Sequence, residues 1–261
     1  MRPLRRLFVV GATIALLAVL IPVTSAAPPR GGALHVQKEC HEYTRLAGGF
    51  CTITASDLAA IPVGSKVIYL RALVGTVLET DVVLDPPGPG NSKAFGHVHL
   101  DLRAQVGVAT FWGGTGAFSG FHATVDVTPE SSVFRGWHWD GTYSFGPAMG
   151  KAFHLDKTCA EDLSEPLGYI CTVQHSDFKW IPAGTDVRYL SQDANVVQAS
   201  IETAIGSTAG ACVWSGDFNA ICTFEPGSGR LAQFHLVVGV TANSDGSIWY
   251  WDGMYWFGDR G

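Results

Sequence analysis

The sequence predicts an all-β protein that contains two copies of one small domain. The segment 51–70 recurs at 171–190, with ten residues in register, and later segments of the two halves match in the same order. Apolar and polar residues alternate with period two through both copies, as in half-buried strands, and no long helical rhythm follows the N-terminal segment. The 31 glycines and 13 prolines suit a chain with many turns. The matches predict domains at residues 36–147 and 155–258, each of a size suited to one small domain.

Residues 1–27 have the composition of an export signal. Arginines stand at positions 2, 5 and 6, an apolar run follows from residue 7 to 23, and small residues end the segment. This order predicts cleavage near residue 27 and a secreted or extracytoplasmic protein. The run is short for a membrane span, so we expect no stable membrane insertion after cleavage, an uncleaved anchor being the alternative. The pair Arg5-Arg6 leaves both the general and the twin-arginine export routes open.

The charge of the chain disfavours nucleic acid as a partner. The formal net charge is −6, and removal of the signal would make the chain more acidic, because the signal carries three of the arginines. No cluster of lysine and arginine stands out, and a nucleic-acid-binding surface needs one. With 47% hydrophobic and 15% charged residues, the chain is too apolar for a disordered protein.

Six cysteines in an exported chain are expected to form disulfides. Cys40 and Cys51 open the first copy at nearly the spacing at which Cys159 and Cys171 open the second. This repetition predicts one local bridge in each copy, and the remaining pair, Cys212 and Cys222, would staple a hairpin of the second copy. No Cys-x-x-Cys pair is present, which argues against a zinc site.

The strands that end each copy are predicted to point aromatic rings inward. The segment 121–128 and its counterpart 234–241 alternate, so that Phe121 and Phe234 face the core while His122 and His235 face outward. The last strand of each copy places its aromatic residues on one side, at positions 137, 139, 143 and 145 in the first copy and 249, 251, 255 and 257 in the second. Such a face either fills a small barrel or lines a cavity within it.

The outward faces of the two last strands differ between the copies. The first copy has polar residues there, whereas the second has Tyr250, Met254 and Trp256. A strand that is apolar on both faces is covered on both faces. We therefore expect this surface to dock against the first copy or against another chain in a homo-oligomer.

Several motifs resemble one family of β-barrels. The Gly-rich string at 113–120, the alternating strand after it and the Trp-x-Trp-Asp-Gly-x-Tyr-x-Phe strand at 137–145 are similar to the allene oxide cyclase-like and dirigent-like barrels, whose secreted bacterial members have similar openings to residues 51–64. The resemblance implies an eight-stranded antiparallel barrel with an apolar cavity in each copy. The second copy departs from the pattern at 226–231. The family's catalytic carboxylate has no clear match, and Glu79 and Asp81 are interpreted as strand-edge charges.

The candidate ligand contacts are inward aromatic residues of both copies. They are the following: Trp139, Tyr143, Trp251, Tyr255, Tyr69 and Tyr189. A metal site is not expected, because the alternating set His97, His99 and Asp101 is matched in the second copy by Gly210, Cys212 and Trp214 in a gap-free alignment. No cofactor is expected, and no activated nucleophile is visible in the sequence.

Three classes of function follow as hypotheses. The first is a secreted protein that binds a small apolar or aromatic molecule in each barrel, and it rests on the inward aromatic rows and the absence of a catalytic constellation. The second is an isomerase or cyclase of the allene oxide cyclase type, which requires a titratable group inside the barrel. The third is an envelope or matrix protein without a small ligand, which requires packed interiors and a self-association surface.

Overall fold

The chain folds into two closed barrels of eight antiparallel strands each. The computed structural model describes residues 30–88, 91–130, 136–216 and 219–259. The predicted signal segment, residues 1–27, lies outside this part of the chain. The predicted fold class, all-β with two tandem eight-stranded antiparallel barrels, is confirmed.

Each barrel uses eight strands that are consecutive in the chain. Both barrels begin earlier than the repeat boundaries at 36 and 155, because the first strand of each barrel extends in the N-terminal direction from the matched segment. The strands of the first barrel are β1 (Gly31–Glu39), β2 (Phe50–Ser56), β3 (Lys66–Tyr69), β4 (Val77–Asp85), β5 (Ala94–Asp101), β6 (Val106–Gly114), β7 (Phe121–Pro129) and β8 (Gly136–Phe145). The strands of the second barrel are β9 (Lys151–Glu161), β10 (Tyr169–Ser176), β11 (Asp186–Asp193), β12 (Val196–Thr203), β13 (Gly206–Gly216), β14 (Asn219–Phe224), β15 (Phe234–Ala242) and β16 (Trp249–Phe257).

Each barrel closes where its first strand pairs with its last. Strand β1 pairs with β8 over its whole length, and β9 pairs with β16 over residues 151–157. A closed barrel leaves no strand edge unpaired. Two glycines allow the last strand of each barrel to approach the strand before it closely, since a Cβ at Gly141 would come within 2.1 Å of the Thr124 carbonyl oxygen and one at Gly253 within 1.9 Å of the Val237 carbonyl oxygen.

The inward faces predicted for 121–128 and 234–241 are confirmed, and the two copies share the turn before these strands although their sequences differ there. Phe121 and Phe234 are fully buried in the cores of their barrels, and the alternate residues of both strands are buried with them. A 3₁₀ turn precedes each of these strands and begins at a glycine of positive φ, Gly116 at 55° and Gly229 at 57°. The segment 226–231 therefore forms the same turn as the first copy despite its different sequence.

The three predicted disulfides are present. Cys40 pairs with Cys51, Cys159 with Cys171, and Cys212 with Cys222. Cys40, the residue after β1, is joined to β2, Cys159 joins β9 to β10, and the third bridge joins β13 to β14 in the second barrel alone.

The gap-free alignment of the two copies is wrong by one residue around the third disulfide. Strand pairing equates Cys212 with Val98, not with His99, and it equates His97 with Ala211. The cause is a pair of β-bulges at different places, after Phe95 in the first barrel and after Trp214 in the second, each of which shifts the register by one residue.

The two barrels pack against each other through a third apolar cluster. The second barrel contributes Met254 and Trp256, which are 2% and 6% exposed, and the first contributes Ile68, Val83 and Phe95. Asn195 also donates a hydrogen bond to the Ala47 carbonyl oxygen across this contact. The cavity left between the barrels is only about 10 Å³, so the two surfaces fit closely.

Tyr250 lies outside the cluster between the barrels. Its ring stacks on that of His154 in its own barrel, at 6.5 Å between ring centroids. Of the three residues predicted to form a docking surface, Met254 and Trp256 are thus the ones buried within the chain.

Candidate functional site

A lysine side chain is buried inside each barrel. Lys38 on β1 and Lys157 on β9 are each 2% exposed. Strand alternation places them there, because Leu34 and Val36 face the first core and the residue two positions further along must face it as well. Lys38 lies opposite Trp137 in the ladder, and Lys157 lies opposite Trp249. The two lysines therefore occupy the same position of the repeated unit.

The polar partner of Lys38 is a buried tyrosine hydroxyl. Lys38 Nζ donates a hydrogen bond to the Tyr69 hydroxyl at 2.7 Å and stands 4.5 Å from the ring centre of Trp139. The amine is thus held between one hydroxyl and the face of an indole ring, to which an ammonium group is attracted.

The second barrel repeats this arrangement. Lys157 Nζ donates to the Tyr189 hydroxyl at 2.9 Å and stands 5.3 Å from the ring centre of Trp251. Lysine, tyrosine and tryptophan come from equivalent strands in the two barrels. The first barrel's group of Lys38, Tyr69 and Trp139 and the second barrel's group of Lys157, Tyr189 and Trp251 are called the lysine sites below.

Burial makes both amines weak bases. Among the described residues, no carboxylate forms an ion pair with either lysine. Removal from water therefore lowers the pKa of Lys38 and that of Lys157 from 10.5 to about 7. Burial also raises the pKa of the Tyr69 and Tyr189 hydroxyls, which stay protonated. Near neutral pH, each site thus combines a partly uncharged amine with a neutral phenol.

A disulfide and a second tyrosine border each lysine site. The Tyr43 ring meets that of Tyr69 edge-on at 5.1 Å, and in the second barrel Tyr169 lies 5.2 Å from Tyr189. Desolvation raises the pKa of Tyr43 to about 12. Cys51 Sγ lies 3.4 Å from the Tyr69 hydroxyl. The bridges therefore fix the strands that carry these groups.

Each lysine site opens into a pocket. The first pocket has a volume of about 540 Å³, and its lining includes Lys38 and Tyr69 together with Arg45 and Arg103. The second has a volume of about 210 Å³, and the described residues of its lining are mainly aromatic and apolar, Lys157 being the one charged residue among them. The first volume falls within the usual range for small-ligand sites, and the second falls somewhat below it.

The tryptophans of the lysine sites carry buried donors. The indole N–H groups of Trp139 and Trp251 are buried, and within the described part of the chain neither has a hydrogen-bond acceptor. Buried donors without partners are uncommon in folded proteins. Their occurrence at the same position in both barrels distinguishes the lysine sites from ordinary apolar core.

The structure divides the six predicted ligand contacts into two groups. It brings Trp139 and Tyr69 together in one lysine site and Trp251 and Tyr189 together in the other. Tyr143 lies four residues beyond Trp139 on β8, about 13 Å along the strand, and packs against Phe121 and Phe145. Tyr255 occupies the equivalent place in the second barrel and packs on Phe178 at 4.5 Å.

Lys38 and Lys157 were not predicted as site residues from the sequence. The signal that could have found them is the inward alternation of the first strand in each barrel, which continues from Val36 to Lys38 and from Leu155 to Lys157. A charged residue at a core position of both copies is a candidate functional group, since lysine is seldom fully buried.

Histidines and carboxylates also pair on the outside of the first barrel. Glu79 and Asp81, interpreted above as strand-edge charges, both accept hydrogen bonds from His97, at 2.6 and 2.9 Å. The bond to Asp81 is the main reason that the pKa of His97 is raised. Glu79 also pairs with His99. These groups neutralise one another on an outer face.

Two further surface groups bring together potential metal ligands. They are His35, His138 and Asp140 on the first barrel and His154, Asp156 and His175 on the second, with the ligand atoms of each group within 4.8 Å of one another. His35 pairs with Asp140 at 2.5 Å, and His154 pairs with Asp252 at 2.8 Å. One histidine of each group thus already has a carboxylate partner.

Comparison of the chain with protein-family models, with curated proteins and with solved structures found no match. In the part of the chain that the structure describes, no helix is both long and apolar enough to cross a bilayer. The arguments about function therefore rest on the lysine sites and their pockets.

Proposed function

We propose that the protein is a secreted binding protein that takes up a small, largely apolar molecule in each barrel. The observation that carries this proposal is the duplicated lysine site, in which an amine and a phenol line a pocket and the ring of a buried tryptophan lies beside the amine. A purely structural interior would be filled by apolar side chains, because a buried amine without a carboxylate partner destabilises the fold. Retention of such an amine in both barrels is consistent with a role in binding.

The pockets indicate different ligand preferences. In the first barrel, Arg45 and Arg103 line the pocket as well as Lys38. We infer that this pocket suits an apolar molecule with an acidic group, and that the smaller second pocket suits a compact neutral aromatic molecule. The resemblance to the dirigent-like and allene oxide cyclase-like barrels is consistent with cavities of this kind.

Secretion is part of the same proposal. The three disulfides are compatible with an oxidising compartment outside the cytoplasm, where such bonds form and persist. The composition of residues 1–27 supports export as well.

Native mass spectrometry of the protein purified from its own secretion medium tests the binding function. We expect up to two small molecules per chain, which denaturation releases. Trp137→Phe and Trp249→Phe, which replace a lining residue of each pocket, should weaken retention, whereas Trp180→Phe, outside both pockets, serves as the matched control. Repeated recovery of the intact protein without any small molecule, together with no binding of added aromatic compounds, would overturn the proposal.

An isomerase or cyclase is the second candidate, because the lysine sites provide the inward titratable groups that it requires. An amine with a pKa near 7 is suited to general acid–base catalysis at neutral pH. The molecule that co-purifies would be returned to the protein in deuterium oxide. Isomerisation by proton transfer should incorporate deuterium, and Lys38→Met combined with Lys157→Met should abolish incorporation. Unchanged, unlabelled ligand would exclude this candidate.

A further inference from the structure

We propose that the lysine sites bind aldehydes or ketones covalently, as imines formed with the side-chain amines of Lys38 and Lys157. This inference rests on the proposed binding function and names its ligand class. It requires a nucleophilic amine at the end of an accessible pocket, a proton donor beside that amine and exclusion of bulk water. Each barrel meets these requirements.

The residues that line the two pockets show that a ligand can reach both amines. Lys38 lines the first pocket and Lys157 lines the second, although each side chain is only 2% exposed. A ligand therefore reaches the amine through the pocket, while bulk water has little access to it. Exclusion of water favours the imine over its hydrolysis.

Nucleophilicity follows from the surroundings of the amine. Only an uncharged amine attacks a carbonyl carbon, and a desolvated lysine in an apolar pocket is a recognised means of obtaining one. Lys93 provides a comparison within the chain, because it is also largely buried but its ammonium pairs with Asp85 at 2.5 Å. It lines neither of the two pockets. Burial alone does not create the reactive environment, which needs burial without a carboxylate.

The imine can form with the amine and the hydroxyl group that each lysine site contains. The amine nitrogen of Lys38 attacks the carbonyl carbon and forms a C–N bond, which yields a carbinolamine after proton transfer from nitrogen to oxygen. The Tyr69 hydroxyl, 2.7 Å from Nζ, is placed to donate a proton to the departing hydroxyl group. Loss of one water leaves the C=N bond, and the nitrogen's second proton returns to the phenolate. Tyr189 has the same relation to Lys157 at 2.9 Å.

Reductive trapping with trans-cinnamaldehyde tests the inference. The disulfide-bonded protein is incubated with the aldehyde and sodium cyanoborohydride near pH 7, and adducts are located by peptide mapping. Reduction of an imine adds the mass of the aldehyde less one water plus two hydrogens. We expect adducts at Lys38 and Lys157 in more than about tenfold excess over the exposed Lys66, Lys151 and Lys179, because an amine of pKa near 7 is about half uncharged at that pH.

Variants and the pH profile distinguish adducts that depend on the chemistry of the lysine sites from adducts that form at any accessible lysine. Lys38→Met should remove only the first adduct and leave the Lys157 adduct as an internal standard of folding. Tyr69→Phe should slow trapping at Lys38 without slowing it at Lys157. Trapping at the two buried lysines should reach its plateau at lower pH than trapping at the exposed lysines, whose yield should rise steadily above pH 8.

Cinnamyl alcohol distinguishes failure of this inference from failure of the proposed function. If native mass spectrometry shows that aldehyde and alcohol bind equally and no adduct forms at Lys38 or Lys157, the imine is excluded while the binding function stands. If neither compound binds and only exposed lysines are labelled, both ideas fail. Aldehyde adducts confined to the two buried lysines, with reversible binding of the alcohol, support both.

Discussion

At the scale of single residues, the buried lysines are the strongest departure from ordinary core composition. Most of the interior of both barrels is apolar or aromatic, and burial of an amine there opposes folding. The hydroxyls of Tyr69 and Tyr189 satisfy one donor of each amine, and the indole faces of Trp139 and Trp251 lie beside it. These contacts offset part of the loss of hydration.

The stability of the protein should rise with pH above neutrality. The folded pKa of Lys38 and Lys157 is about 7, below the unfolded value of 10.5, so the unfolded state binds more protons between these values. Stability therefore increases as pH rises, by about 2 kcal/mol per lysine between pH 7 and pH 9. Urea unfolding at several pH values measures this. Lys38→Met should remove about half of the rise, and the exposed-site control Lys66→Met should leave it unchanged.

At the scale of strands, the two barrels differ most at the Cys212–Cys222 bridge. It joins β13 to β14 at adjacent positions of the ladder. The first barrel has Val98 and Ala109 at the equivalent positions, both buried. The second barrel thus has two local bridges and the first has one.

Replacement of this bridge by the residues of the first barrel should destabilise only the second barrel. The double variant Cys212→Val, Cys222→Ala opens a short loop, and we expect a cost of about 2–3 kcal/mol. Thermal unfolding followed by calorimetry measures the change. Full reduction should likewise weaken the second barrel more than the first. Equal destabilisation of both barrels by the double variant would show that the interface couples their unfolding completely.

At the scale of the whole molecule, the barrels associate head to tail, through non-equivalent faces. The second barrel uses Val237, Met254 and Trp256, and the equivalent positions of the first barrel are the exposed Thr124, Thr142 and Ser144. The first barrel in turn uses Ile68 and Val83, whose equivalents in the second barrel are Arg188 and Ser200. Such contacts extend indefinitely when every unit carries both faces. The two free faces carry polar residues at these positions, which disfavours a further contact of the same kind.

A variant in which both barrels carry apolar residues on these faces should therefore form larger assemblies. Thr124→Val, Thr142→Met and Ser144→Trp together give the first barrel the side chains of the second barrel's contact. The second barrel still lacks the complementary face, so Arg188→Ile and Ser200→Val are added in the same chain. We expect concentration-dependent oligomers by analytical ultracentrifugation. The matched control carries only the first three substitutions and should assemble less.

The converse substitution tests the contact itself. Met254→Thr combined with Trp256→Ser copies the exposed residues of the first barrel into the buried contact. We expect both barrels to unfold at lower temperature and their unfolding to become more independent, since the apolar cluster between the barrels would be lost. Calorimetry measures both changes. Unaltered unfolding would mean that other contacts, such as that of Asn195 with Ala47, hold the barrels together.

The amino-acid sequence by itself determined the duplication, the strand faces and the three disulfides. These follow from local patterns: the alternation that turns Phe121 and Phe234 inward, and the spacing that repeats Cys40 and Cys51 as Cys159 and Cys171. The tertiary structure decided which inward residues meet. It joined Lys38 to Tyr69 and Trp139 across three strands, and it separated Tyr143 from them. Barrel closure, in which β1 pairs with β8, sets these distances, and it depends on pairing between residues far apart in the chain.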